Sequence, residues 1–222
     1  MGNCLKTQLK EIVQNDNLKV LNTLWGVKIG TGNKTFTLST LGTDVNVKIY
    51  DADKVYVREL NTNGGSVTLE ANEQYFSVNN KYLLTRFASS LATAIDLKDL
   101  CYCDIRYLSY KGYGNYTFSI LDTYKWANIT FFDITGNDNG NFSLTGTTEQ
   151  IANHPNAANI THVGIVESNI TGSLDDFVNM ASLAELDVRY TSGITKKRST
   201  INTLTQKMGD NFKYNGTIIE DI

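Results

Sequence analysis

One apolar pattern recurs four times in the second half of the chain, and it restricts the fold more than any other feature. Laid out as L-x-x-L-x-L followed by a polar position, the first copy is Leu100, Cys103, Ile105 and Leu108. The second is Ile129, Phe132, Ile134 and Asn137, and the third Ile160, Val163, Ile165 and Ser168. Leu183, Leu186, Val188 and Thr191 make the fourth. First positions fall 29, 31 and 23 residues apart, at or near the period of stacked-repeat folds. A spacing of two inside each copy sends both apolar side chains to one face of a strand. One such strand cannot bury that face alone, but parallel stacking of copies can. The polar residue three positions later is placed to bond backbone groups where the chain turns.

Stacking also aligns the side chains that flank the inward pair, in columns about 4.8 Å apart from strand to strand. The first column is Tyr102, Phe131, His162 and Glu185; the second is Asp104, Asp133, Gly164 and Asp187. Arg106, Thr135, Val166 and Arg189 form the third. An aromatic beside ordered charges suits a binding face. The alternative is that these groups only satisfy one another or cover a neighbouring unit.

The front of the chain has other periods. Residues 3–15 predict an amphipathic helix in which Leu5, Leu9, Ile12 and Val13 share a face. A helix this short is marginal alone and needs a partner, so residues 1–16 are assigned as an anchoring helix. Residues 17–80 alternate with period two, as in Val45, Val47 and Ile49, then Val55 and Val57, then Val67 and Leu69. Turn residues lie between these runs, which predicts an antiparallel β-domain. Leu84, Phe87, Leu91 and Ile95 predict a helix over about 83–94, opening a repeat domain of residues 81–222. Ile201, Leu204 and Met208 predict a helix over 199–208 with Gly209 as its stop, and residues 212–219 a closing strand or hairpin. The fold class expected is α+β: an N-terminal helix and antiparallel β-domain, then a short repeat solenoid with a parallel sheet.

Composition removes several functions. Hydrophobic residues at 41% and charged residues at 19% describe a folded chain. A net charge of -3, with Lys196-Lys197-Arg198 as the one dense basic run, gives no nucleic-acid footprint. No stretch reaches the ~20 apolar residues of a membrane span. Lys6, Lys10 and Glu11 break the apolar run a signal peptide needs. The cysteines Cys4, Cys101 and Cys103 make no disulfide framework, and a CxC pair with two histidines in the chain is a poor metal site. Cys101 and Cys103 on a strand would share a face as free thiols. His154 and His162 lie in no catalytic motif and are expected on the surface or packed. Asp175-Asp176 reads as the first turn of a helix. A glycosidase would need two carboxylates across a cleft, and Asp104, Asp133 and Asp187 form instead a parallel ladder. The expectation is no enzyme, no cofactor and no metal.

Two resemblances add to this. Asn169-Ile170-Thr171-Gly172-Ser173-Leu174, continuing to Met180-Ala181-Ser182-Leu183, resembles the N-x-[LI]-x-G-x-[LI]…L-x-x-L segment of leucine-rich-repeat proteins. Tyr190-Thr191-Ser192-Gly193-Ile194-Thr195 begins the same step again. This likeness covers about half the chain and implies a repeat solenoid that binds. The opening Met1-Gly2-Asn3-Cys4-Leu5-Lys6-Thr7-Gln8-Leu9-Lys10, with Asn15-Asp16-Asn17-Leu18, resembles the N-termini of proteins from crAss-like and other Bacteroides phages. That likeness implies a virion component of the auxiliary-capsid or head-fibre type, assembled in the bacterial cytoplasm. Its partners would be other virion proteins, further copies of itself, and a host-surface glycan or protein, without nucleic acid or membrane. The rival class is a bacterial cell-surface leucine-rich-repeat adhesin or a tail-associated host-binding protein. The residues carrying these roles would be Leu5, Leu9, Ile12 and Val13 for attachment. Tyr102, Asp104, Arg106, Phe131, Asp133, His162, Glu185, Asp187 and Arg189 would form the repeat face.

Overall fold

The computed structural model describes residues 24–27, 34–40, 45–62, 65–78, 84–94, 97–101, 103–112, 115–136 and 142–220. The fold is α+β, dominated by strands, with antiparallel and parallel pairing. The anchoring helix expected over residues 1–16 lies outside the described residues.

The front half is an antiparallel β-region of β1 (Trp25–Val27), β2 (Lys34–Thr40), β3 (Val45–Asp51), β4 (Tyr56–Thr62), β5 (Ser66–Leu69) and β6 (Glu73–Val78), in which β6 lies between β1 and β3 and β2 pairs with β5. Period-two alternation puts Val45, Val47, Ile49, Val67, Leu69 and Phe76 into the core, as expected. Val55 and Val57 behave differently. Val55 precedes β4 and Val57 is its second residue; among the described residues β4 is an edge strand paired with β3 alone, and both valines are exposed together with Tyr56. The Asp51 carboxylate organises the turn into β4, accepting from the N–H groups of Asp53 and Val55.

Residues 84–94 overturn the predicted helix. They form β7 (Leu84–Ala94), an 11-residue strand. It pairs antiparallel with β2 and β1 on one side and parallel with β8 (Tyr107–Gly112) on the other. Register shifts interrupt its pairing, at Ser39/Thr40 on β2 and between Ala88 and Ala92 against β8, so strict alternation is broken and its apolar residues can imitate helical spacing. Pairing along two edges then outweighs the mild helix preference of Leu and Ala.

From β8 onward the chain climbs in coils. Each coil contributes a strand to the large sheet, a strand to a smaller parallel sheet, and a helical return. The large-sheet strands are β8, β10 (Phe131–Thr135), β12 (His162–Gly164), β14 (Glu185–Asp187) and β16 (Phe212–Lys213), all parallel. The smaller sheet holds β9 (Thr117–Ser119), β11 (Ser143–Thr147), β13 (Asn169–Ser173) and β15 (Ile194–Thr195). Returns include a 3-10 helix at Ile120–Lys125 and the α-helices α1 (Thr148–Ala152), α2 (Asp175–Val178) and α3 (Arg198–Met208). The last agrees with the predicted 199–208 helix. The tail contributes β16 and a bridge between Lys197 and Ile219.

Register identifies the core columns. Leu108, Phe132, Val163, Leu186 and Phe212 pair across the large sheet, and all are buried. The polar position after each apolar triplet works as expected where it is described. Ser168 Oγ donates to the Ile165 carbonyl at 2.9 Å, and Thr191 Oγ1 to the same carbonyl at 2.6 Å. Aromatic contacts Trp25–Phe76, Phe76–Phe36, Phe36–Phe87, Phe87–Tyr110 and Tyr110–Phe142 carry one core from the antiparallel region into the coils.

The first repeat copy needs correction. Leu108 pairs with Phe132, so the strand frame is Ile105, Leu108 and Tyr110, five residues beyond the one predicted. Residues 97–100 form a 3-10 turn, after which the Cys101 and Cys103 N–H groups bond Lys98 and Leu100 carbonyls. Both cysteines are buried, but in this turn and not on a strand.

Candidate functional site

The open face of the large sheet carries a row of outward side chains, each immediately preceding a core residue. Tyr107, Phe131, His162 and Glu185 are cross-strand partners in consecutive coils. The Tyr107 and Phe131 rings stack at 3.9 Å with planes 8° apart, and Phe131 and His162 at 3.9 Å and 14°. That is closer than the strand spacing of about 4.8 Å, so the rings lean together. Arg86, the partner of Tyr107 on β7, sets its guanidinium 4.0 Å from that ring's centre. At the other end Glu185 lies 2.9 Å from His162 Nδ1 and 3.3 Å from Lys213 Nζ. Cation, three rings, carboxylate and cation thus follow one another across six strands.

His162 is nearly fully buried in this column. Its approach to Glu185 has ion-pair distance without hydrogen-bond alignment, and neither ring nitrogen has a hydrogen-bond partner among the described residues. Burial alone would raise the Glu185 carboxyl pKa; contacts with His162 and Lys213 outweigh it and hold it below its ordinary value.

The next row contains Ser109, Asp133, Gly164 and Asp187. Arg189 grips Asp187 through Nε and Nη2 at 2.9 and 2.7 Å. Asp133 is different: burial raises its pKa, Asp187 and Glu185 add to the rise, and His162 and Lys213 oppose it. Its carboxyl occupies the space that glycine leaves at 164, where a Cβ would come within 2.4 Å of Asp133 Oδ1.

Of the residues predicted for this face, Phe131, Asp133, His162, Glu185, Asp187 and Arg189 come together on it. Tyr102 lies outside the described residues, as do Leu5, Leu9, Ile12 and Val13. Asp104 and Arg106 lie before β8 and off the ladder, paired with each other at 2.7 Å. The Asn128 amide and Arg106 hold the Asp104 carboxyl below its usual range. The five-residue shift of the first coil is the reason: Tyr107, Ser109 and Lys111 stand where Tyr102, Asp104 and Arg106 were expected. Tyr107 and Arg86 were missed for that reason and through the misread β7. Their signal is present nonetheless, since Arg86 precedes Phe87 and Tyr107 precedes Leu108 just as Phe131 precedes Phe132.

His154, expected on the surface or packed, is packed. Asn156 N–H donates to Nδ1, so the ring proton sits on Nε2 and points to the Thr123 carbonyl at 3.0 Å. Among the described residues no group of three or more His, Cys, Asp or Glu is placed to hold a metal ion, and no helix is long and apolar enough to cross a membrane. Comparison of the chain with protein families, curated proteins and solved structures finds no match.

Proposed function

We propose that this is a non-enzymatic structural protein of a phage virion, an auxiliary-capsid or head-fibre type component that presents the open face of its coils to a partner. The observation that carries the binding part is the column Arg86–Tyr107–Phe131–His162–Glu185–Lys213, an ordered row of rings closed by charges on an open sheet face. Its ladder carboxylates support binding over catalysis, since Glu185 and Asp187 are each tied to a neighbouring cation. In this reading the coils are a short solenoid of the leucine-rich-repeat type. The recurring apolar frame and the segment Asn169–Leu174, with its glycine at φ +130°, favour that class. The virion assignment rests on the N-terminal resemblance of residues 1–18. In this reading residues 1–16 serve as the anchor through Leu5, Leu9, Ile12 and Val13, docking on virion proteins or on another copy after assembly in the bacterial cytoplasm.

Mass spectrometry of purified particles tests the assignment: stoichiometric copies are expected, and absence from particles overturns it. Deleting residues 1–16 should abolish incorporation while the coils stay folded. Phe131→Ala combined with Glu185→Ala should leave incorporation intact and weaken whatever adhesion the particle shows.

A further inference from the structure

A second site lies away from the ladder face, at the end of the stack. After β14 the chain turns through Tyr190–Ile194, and the tail residues 215–217 pass across that turn as a strap. The strap is pinned at one end by the Tyr190 N–H, which donates to Asn215 Oδ1 at 2.7 Å. At the other end the Ile219 N–H bonds the Lys196 carbonyl, and the Arg198 N–H bonds that of Ile219. Between turn and strap lies a slot of about 440 Å³, lined by Tyr190, Thr191, Ser192, Lys196, Asn215 and Thr217, among others. That is in the range that holds small ligands.

Lys196 is 3% exposed. Its Nζ donates to the Thr191 carbonyl at 3.2 Å and the Ile194 carbonyl at 3.0 Å. An ammonium has three donors, and these two bonds leave one. No carboxylate among the described residues pairs with it, which is uncommon for a buried charge. Gly216 of the strap faces Nζ with no side chain of its own: the nearest atom to a Cβ built there would be Nζ itself, at 3.9 Å. Burial pushes the Lys196 pKa down, as it does for an ammonium short of counter-charge. The rest of the lining supplies hydroxyls, at Ser192 and Thr217, and the Asn215 amide.

We propose that this slot binds the anionic group, carboxylate or phosphate, of a small ligand, with the Lys196 ammonium as counter-charge and the Ser192 and Thr217 hydroxyls beside it. The proposal stands independently of the ladder-face reading. A purely structural Lys196, tying the turn through its two carbonyls, would not respond to added anions.

Amide NMR of the full chain at constant ionic strength, titrated with inorganic phosphate and separately with acetate, separates the two. Saturable shifts are expected at Ser192, Gly216 and Thr217. The apparent affinity should fall at least about tenfold in Lys196→Met, the loss of a charge-assisted bond. Should removal of a buried lysine unfold the turn, Ser192→Phe alters an exposed position, retains Lys196 and obstructs the slot; it should weaken binding likewise. Saturation by one anion alone identifies the ligand group and supports the site. Absence of saturation by both anions up to about 50 mM, or an unchanged midpoint in the folded variants, overturns it.

Discussion

At residue 164 an added methyl group has nowhere to go without moving Asp133. Gly164→Ala should therefore destabilise the protein by about 1–2 kcal/mol, and Asp133→Ala should relieve most of that penalty, since contacting sites couple in this range. Urea unfolding of the double-mutant cycle measures it; additive effects would mean the two side chains do not compete. Asp133 also bears on pH. Its pKa is raised on folding, so the folded state binds its proton more tightly than the unfolded chain does. Stability from this group is therefore greatest in acid and declines as pH rises from the ordinary aspartate value through the raised one. Asp133→Asn should remove that decline and be the relatively more stable form at neutral pH. Thermal unfolding of both proteins across pH 3–8 checks the sign, and a wild type that gained relative stability with rising pH would contradict it.

At the scale of elements, the helical returns are tied to one another through their first turns. Thr148 of α1 donates to Asp176 of α2, and accepts from the Ser173 N–H at 2.9 Å. Asp175 of α2 accepts from Thr200 of α3 and pairs with Lys197. First-turn acids at 175–176 were legible from the sequence as complements to a helix dipole, but their second role, linking neighbouring coils, depends on which helices become adjacent. Thr148→Val keeps the shape, strands the Ser173 N–H and should destabilise by about 1–3 kcal/mol. Denaturant unfolding measures this, and a loss near zero would remove the inter-coil tie from the account. The inward positions of coils two to four were legible because apolar pair, spacing and polar turn residue all agreed there. In the first coil, Cys103 could stand for the expected Leu, and Leu108 then read as a turn position. β7 was illegible for a related reason: its flanking strands, not its own periodicity, decide its conformation.

Across the whole molecule, β7 belongs to the antiparallel region and to the parallel stack at once. The large sheet consequently runs without interruption from β4 to β16. The sequence shows the change in period on either side of this point, but not that one strand serves both patterns. With Trp25 buried in the antiparallel region and Trp126 in the coils, the two halves can be followed separately by single-tryptophan fluorescence. Trp25→Phe and Trp126→Phe should give coincident unfolding transitions. Separate midpoints would show that β7 does not couple the halves.

The parallel stack has a direction as well as a length. Its first strand is committed to β7, whereas its last, β16, meets only one neighbour among the described strands. A duplicated coil could therefore enter between β14 and β16 and inherit the same register, while one inserted beside β7 would have to match a strand already shared with the antiparallel region. The lineage of such a protein can lengthen or shorten at the far end in whole coils, with the ring column growing by one position each time and the junction at β7 left untouched.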